Sequence, residues 1–241
     1  MKNPLQCPVC NCNNNIIKNG SNSSGKQKYR CKDCGVQFVE NPENRIISKS
    51  AKDMTEDLLP EKIPLAGIVR VAKVSKRWLQ NYANNKYENI VQAVNVSEQK
   101  KGKLTIECDE MWSFVEMKSN KQWIWLAKNI ETKEIAGVYV GSRDKEGDQG
   151  LWDSLPGVYR QCAVSHTDFR AAYKEIFPAC RHIQVEKGSG NTNSTENFNC
   201  IMRQRISRIV RKTLSFSKKL TNHIGAIWNF IHHYNASSNI Q

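Results

Sequence analysis

Among 241 residues there is no apolar stretch fit to cross a bilayer and no internal repeat, and beyond Glu196 there is no aspartate or glutamate at all. The longest uncharged run, 220–241, is broken by histidine and asparagine, which excludes a membrane span. The N-terminus, Met-Lys-Asn-Pro-Leu-Gln-Cys, lacks the apolar core of a secretory leader, so a soluble, cytoplasmic protein is expected. Acids are scarce overall. Twenty-three Asp and Glu stand against 36 Lys and Arg, a formal charge of +13 with a pI near 9.4. Such a surplus points to a polyanionic partner, most simply nucleic acid, although a generally basic surface fits it too. The charge is concentrated in two places. Residues 197–241 carry seven Lys/Arg and no acid, and residues 1–50 carry eight against three acids, which suggests two separate contacts.

Nine cysteines make an odd count, and the first five lie within the first 34 residues. That crowding favours a metal site over a disulfide framework. Cys7-Pro-Val-Cys10 and Cys31-Lys-Asp-Cys34 form two C-x₂-C pairs, a spacing at which paired thiolates close a tetrahedral Zn²⁺ site. The Asn/Ser/Gly-rich stretch between them, leading into Lys28-Tyr29-Arg30, reads as a hairpin that joins the two knuckles. So small a segment has too few apolar residues to fold without metal. Cys12 is read as a bystander, and a redox C-x-x-C is disfavoured because no strand precedes either pair. Cys108, Cys162, Cys180 and Cys200 are expected as core thiols. The five histidines lack ligand spacing among themselves and are expected to be structural or surface residues.

Residues 63–84 read as two helices with a tight break. Leu65, Ile68, Val69 and Ala72 share one face, Ser75 is placed as an N-cap, and Trp78, Leu79 and Tyr82 continue at helical spacing. This is the outline of a helix-turn-helix, in which Lys76, Arg77, Gln80 and Asn81 would face the major groove; a plain helical hairpin fits the same pattern. Residues 45–58 are expected to add a support helix.

After a polar stretch ending Gln-Lys-Lys-Gly-Lys at 103, the period changes. Residues 103–109, 122–128 and 134–141 alternate as three strands, 145–155 as a helix, 162–168 as a fourth strand, 169–177 as a short helix and 182–185 as a brief strand, with two long helices following. The order βββαβαβα suits an α/β fold in which three antiparallel strands are extended by parallel ones. Strands one and four then lie side by side, so Asp109 and Asp168, each ending its strand, come together. Glu196 opens a basic helical segment with an apolar stripe of Phe198, Met202, Ile206, Ile209 and Val210. Arg203, Arg205, Arg208, Arg211 and Lys212 would meet phosphates along it. Strand end, strand end and helix is how a ribonuclease-H-like sheet gathers three carboxylates around divalent metal. Glu196 also fits a plain first-turn acid favoured by the helix dipole. Glu107 shares a strand face with Asp109, whereas Glu110 does not; Asp144 and Asp148 read as loop and helix-start acids.

On these residues the chain resembles the bacterial insertion-sequence transposases of the IS one family. Asp109-Glu-Met-Trp-Ser-Phe-Val115, Trp123-Ile-Trp-Leu-Ala127 and the segment Arg203 to Lys218 carry the likeness, together with the N-terminal cysteines and the helix-turn-helix. The interval from Asp168 to Glu196 is slightly longer than is usual there, with Gly188-Ser189-Gly190 as the expected insertion, and parts often divided between two reading frames stand here in one chain. The resemblance implies three domains: a zinc module at 1–42, a helix-turn-helix domain at 43–98 and a ribonuclease-H-like DDE catalytic domain at 99–241. It implies metal-dependent strand cleavage and strand transfer by Asp109, Asp168 and Glu196 with two Mg²⁺ or Mn²⁺ ions, and a structural Zn²⁺. The expected partners are the terminal inverted repeats of an insertion element, target DNA and further copies of the chain, in a prokaryotic cytoplasm at the nucleoid. The alternative from another class is a catalytically inactive repressor derived from such an enzyme.

Overall fold

A computed structural model of the chain describes residues 5–40, 47–97, 104–168, 171–185, 193–210 and 216–238. Arg211, Lys212, the Gly188–Gly190 insertion and the expected domain boundaries near 42 and 98 lie outside these. The chain divides into two compact units, 1–47 and 48–241. The helix-turn-helix segment thus shares a unit with the segment expected to hold the catalytic sheet.

The first unit is built on a small antiparallel sheet of β1 (Ile16–Ser21), β2 (Gln27–Cys31) and β3 (Gln37–Val39). The expected hairpin is present, and its turn is made by Asn22. That side-chain oxygen accepts from the backbone N–H of Ser24 and Lys26, at 3.0 and 2.8 Å, while Gly25 supplies the left-handed backbone, φ +79°. Among the described residues of this unit, Cys7 and Cys31 are the buried ones. No apolar core holds it.

The second unit opens with three helices, α1 (Lys49–Leu58), α2 (Leu65–Ala72) and α3 (Lys76–Glu88). α2 ends because Lys73 turns left-handed, φ 53° and ψ 37°, and Ser75 restarts the chain by accepting from the Trp78 N–H at 3.2 Å. Ile68, Ala72, Val74 and Leu79 are buried at this break. Lys86 and Tyr82 of α3 both reach Glu56 of α1.

The larger sheet follows. β4 (Thr105–Phe114), β5 (Lys121–Asn129) and β6 (Ile135–Gly141) form an antiparallel meander. Helices α4 (Lys145–Ser154) and α5 (Gly157–Cys162) lead to β7 (Val164–Thr167), which pairs parallel with β4, and α6 (Ala171–Ile176) leads to β8 (His182–Gln184), parallel to β7. The order is β6-β5-β4-β7-β8, so strands one and four of the sheet are neighbours as expected. Alternation along β4 sends Ile106 and Cys108 to one face, where Trp125, Leu151, Leu155, Tyr159 and Tyr173 pack. It sends Met111 to the other face, against Phe198 and Met202 of α7 (Asn193–Arg205) and Ile227, Trp228 and Ile231 of α8 (Leu220–Ser238). α8 covers the sheet and is tied to its edge, since the Asn235 amide both accepts from and donates to the backbone of Ile135, at 2.9 Å each way. Among the described residues, no helix is long and apolar enough to cross a membrane. Asp144 caps α4 by accepting from Glu146 and Gly147 N–H groups, and Asp148 is a buried first-turn residue.

Three expectations are corrected. The strand read as ending at Asp109 runs on to Phe114, because its pairing with β5 continues that far, so Asp109 lies within the strand. The basic helix read across 203–219 ends at Arg205; Ile206 turns extended and a short 3₁₀ turn spans Ser207–Ile209. Serine and β-branched residues hold a helix weakly here, and the turn buries Ile206 and Ile209 with Met202 in one cluster. Of the four expected core thiols Cys108 is buried, but Cys162, Cys180 and Cys200 are exposed. Cys162 and Cys200 fall on the outer sides of their helices, and Cys180 lies in the 3₁₀ turn before β8.

The three-helix segment docks on α8 where Gly225 meets Tyr87. A Cβ at Gly225 would lie 2.3 Å from the Tyr87 Cβ and 2.6 Å from its Cα, too close for any real contact. Gly225→Ala is therefore expected to destabilise the unit by about 1–3 kcal/mol. Urea unfolding checks this; an unchanged midpoint would mean that α3 and α8 do not meet at Gly225.

Candidate functional site

The cysteine pairs fold as two equivalent knuckles. Cys7 N–H donates to the Cys12 carbonyl and Asn11 N–H to the Cys7 carbonyl, at 2.8 and 3.0 Å; Cys31 N–H donates to Val36 and Gly35 N–H to Cys31, at 2.9 and 3.0 Å. Asn11 and Gly35 occupy matching left-handed positions, φ 58° and 74°, which asparagine and glycine tolerate best. In each knuckle the backbone N–H three residues on points at the first sulfur, that of Cys10 at Cys7 and that of Cys34 at Cys31. This lowers both thiols, Cys31 to about 6. The sulfurs of Cys7, Cys10, Cys31 and Cys34 all lie within 4.8 Å of one another, with two of the separations at 3.6 Å. Zinc–sulfur bonds of about 2.3 Å place tetrahedral sulfurs roughly 3.8 Å apart, so the set fits zinc. Cys12 also approaches Cys31, at 3.2 Å, but Asp33 holds its thiol far above the usual range. That keeps its proton on and leaves it a donor to the site.

On α3, Lys76, Arg77, Gln80 and Asn81 are all exposed, available to a ligand. The arginines after Glu196 divide. Arg203 is half-buried on α7. Arg205 is committed inward, paired with Glu61 and lying over the Phe230 ring at 5.2 Å. Arg208 reaches the Ser217 hydroxyl at 3.3 Å and the Tyr87 ring at 5.4 Å. In this conformation those two guanidinium groups tie the sheet to the helical segment.

The three expected carboxylates lie on β4, just after β7 and in α7. The parallel ladder of β4 and β7 runs from Thr105–Val164 to Glu107–His166 and ends there. Glu107, buried on the face shared with Asp109, accepts from the Thr195 N–H at 3.0 Å and the Thr195 hydroxyl at 3.3 Å. Lys128, its partner across the ladder, donates to the Ser194 carbonyl at 3.2 Å. Together they hold the first turn of α7, in which Glu196 is exposed, against β4 and β5. Burial pushes the Asp109 carboxyl up to about 7, and the charges of Glu110, Glu196 and Asp168 add to it. Among the described residues the groups within 4.8 Å that could hold a metal ion are the four cysteines and the set Cys12, Cys31 and Asp33. Glu110 lies on the other face, bound by Arg143 at 2.8 Å and near the Tyr173 hydroxyl. A carboxylate raised by burial, as Asp109 is, gains from a nearby cation, and oxygen donors suit hard divalent ions such as Mg²⁺ or Mn²⁺.

Three residues here escaped the sequence reading: Lys128, Thr195 and Asn199. Asn199 donates to Asp109 Oδ2 at 2.7 Å. It lies three residues beyond Glu196, and helical spacing could have found it; Lys128 and Thr195 act through strand pairing, which periodicity alone does not reveal.

Residues 102–235, which include all three carboxylates, match the family described as IS1 transposase. The insertion element iso-IS1n protein InsB of Shigella dysenteriae is 31% identical over 128 residues, covering 53% of this chain and 94% of that one. The insertion element IS1 4 protein InsB of Escherichia coli strain K12 is 28% identical over 130 residues, 53% of this chain and 75% of that one. The insertion element IS1 protein InsB of Shigella sonnei is also 28% identical over 130 residues, with 95% of it covered. With more than half of its length matched, and that half holding the three carboxylates, the chain belongs to the IS1 transposase family.

Proposed function

We propose that this family member is an active DDE transposase that binds the terminal inverted repeats of its insertion element and cuts and joins DNA strands with divalent metal. The observation that carries the reading is the parallel pairing of β4, which bears Asp109, with β7, which leads to Asp168, together with the first turn of α7, which bears Glu196, bonded to Glu107 of β4. The strand order β6-β5-β4-β7-β8, three antiparallel and two parallel, supports a ribonuclease-H-like sheet. In this reading Asp109, which is half-buried, Asp168 and Glu196 would hold two Mg²⁺ or Mn²⁺ ions, which would supply charge neutralisation at a phosphodiester and activation of a hydroxyl nucleophile. The protein's part is to hold the oxygens in line and keep charge balanced at the phosphate. Residues 1–42 and 43–98 would grip the terminal repeat, the first ordered by Zn²⁺, and residues 99–241 would carry the chemistry. Lys76, Arg77, Gln80 and Asn81 are the proposed base-reading group, and Arg203 a proposed phosphate contact. Joining two ends calls for more than one copy of the chain, acting at DNA in the bacterial cytoplasm. An inactive repressor would have no need of the three carboxylates.

The triad gives the decisive test. Asp109→Asn, Asp168→Asn and Glu196→Gln should each cut end cleavage by on the order of 10⁴-fold, to a common floor, because the three act as a unit. Binding to an end-containing duplex should survive in all three. Full cleavage by Glu196→Gln, in a Mg²⁺-dependent assay, would remove Glu196 from the site.

Zinc has a separate signature. Purified protein should carry one Zn²⁺ per chain, and Cys31→Ser should lose it together with specific end binding, while the larger unit still unfolds cooperatively. Metal analysis without zinc, and specific binding unchanged by chelation, would refute the assignment.

Base reading and phosphate contact are told apart by competition. Gln80→Ala should relax discrimination at one base pair by about 1–3 kcal/mol. Arg203→Ala should weaken binding to specific and random DNA alike and flatten its salt dependence. Equal losses on both DNAs for Gln80→Ala would count against α3 as the recognition helix.

A further inference from the structure

Asn199 sits one helical turn beyond Glu196, on the side of α7 that faces β4. Its side chain is 8% exposed. The amide N–H₂ donates to Asp109 Oδ2 at 2.7 Å, whereas the amide oxygen is buried with no hydrogen-bond partner. The orientation is dictated by chemistry, since turning the amide over would put its oxygen against a carboxylate oxygen. Nearly every buried amide oxygen in a folded protein has a partner. One left without, a hydrogen bond away from the central carboxylate of a metal site, is a place kept for a donor. Water in the coordination shell of a divalent cation is such a donor, because the cation polarises its O–H bonds.

We propose that Asn199 is a positioning residue of the metal site. Its N–H₂ engages Asp109 Oδ2 and so turns Oδ1 toward the cation, while its own oxygen accepts from a water bound to that cation. The inference rests on the reading of Asp109 as a metal ligand. A planar amide suits the task because it presents a donor and an acceptor side by side at fixed separation. Its place on α7 is set by the same contacts that set Glu196, Thr195 to Glu107 and Ser194 to Lys128. Asp109 and Glu196 are thereby brought to one geometry before any metal arrives.

The test uses the full chain, loaded with zinc and free of DNA, with Mn²⁺ binding followed by electron paramagnetic resonance. Asn199→Leu keeps roughly the volume and removes the hydrogen bonds; Asn199→Ala removes both. Each should weaken Mn²⁺ binding by about 10–100-fold, as loss of a residue that orients a ligand does, with end-DNA binding unchanged in the absence of added Mn²⁺. If packing alone mattered, Asn199→Leu would bind Mn²⁺ as the parent does, and that result overturns the inference. Asp109→Asn measured alongside separates the two levels. Were it also to bind Mn²⁺ normally, the metal reading of Asp109 would fall; were it alone to lose Mn²⁺, only the role of Asn199 would. The unsubstituted protein offers a check that needs no variant to fold: the Asn199 side-chain amide resonance should move on titration with Mg²⁺. An unmoved resonance at saturating Mg²⁺ also overturns the inference.

Discussion

The grip of Glu107 and Lys128 on the first turn of α7 is the constraint from which the rest of the site follows. Both side chains are 4% exposed, and they face each other across the β4–β5 ladder. Burial pulls the Lys128 ammonium below its usual range, with Lys133 adding to the fall and Glu107 opposing it. Charges so placed are costly unless each is satisfied. Here the satisfaction comes from the helix terminus, whose N–H groups at the first turn otherwise lack partners. Glu107 takes the N–H and hydroxyl of Thr195, and Lys128 takes the carbonyl of Ser194 while lying over the rings of Phe198 and Tyr234. The helix cannot slide along the strand without stripping both charges, so Glu196 and Asn199 inherit a fixed height above Asp109.

The same economy of contacts explains the arginines. In sequence, 203–212 reads as one basic face, and the eye assigns all of it to phosphate. The fold spends part of that charge inside. Arg205 crosses to Glu61 and Arg208 covers Tyr87, joining the end of α7 to the helical segment that also docks on α8 through Tyr87 and Ala226. The three-helix segment and the sheet that carries Asp109 thereby belong to one compact unit.

How much of this was legible in the sequence depends on the range of the interaction that decides it. The cap at Ser75 and the paired knuckles are local, and capping chemistry and cysteine spacing expose them. That β4 and β7 are neighbours was legible too, because the order of elements leaves few sheets to choose among, whereas β4 running on past Asp109 to Phe114 was not, since its pairing with β5 is a long-range contact. Nor was the end of α7. The apolar stripe Phe198, Met202, Ile206, Ile209 continues at helical spacing past Arg205, and all four side chains are indeed buried. An extended residue followed by a 3₁₀ turn buries the last two as well as a helix would, so the hydrophobic pattern could not tell them apart. The exposed Cys162, Cys180 and Cys200 teach the converse: cysteine's liking for the interior is an average, overridden wherever its position falls on the outer side of an element.

The two units reach their folds by opposite means. The larger one has two apolar layers around a sheet, enough to hold charged residues such as Glu107 and Lys128 beneath a site and keep them in place. The smaller has, among its described residues, only Cys7 and Cys31 buried, and those are sulfurs pointing at one another. Nothing apolar there opposes the entropy of ordering thirty-odd residues, which at roughly 1–2 kcal/mol each is a large sum. Four thiols within 4.8 Å are instead where the free energy of folding must enter, as metal binding. Backbone N–H groups aimed at Cys7 and Cys31 lower those thiols in advance, Cys31 to about 6. A metal held by the four cysteines would thus stand in for a core in the smaller unit, whereas in the larger the two apolar layers supply the core themselves.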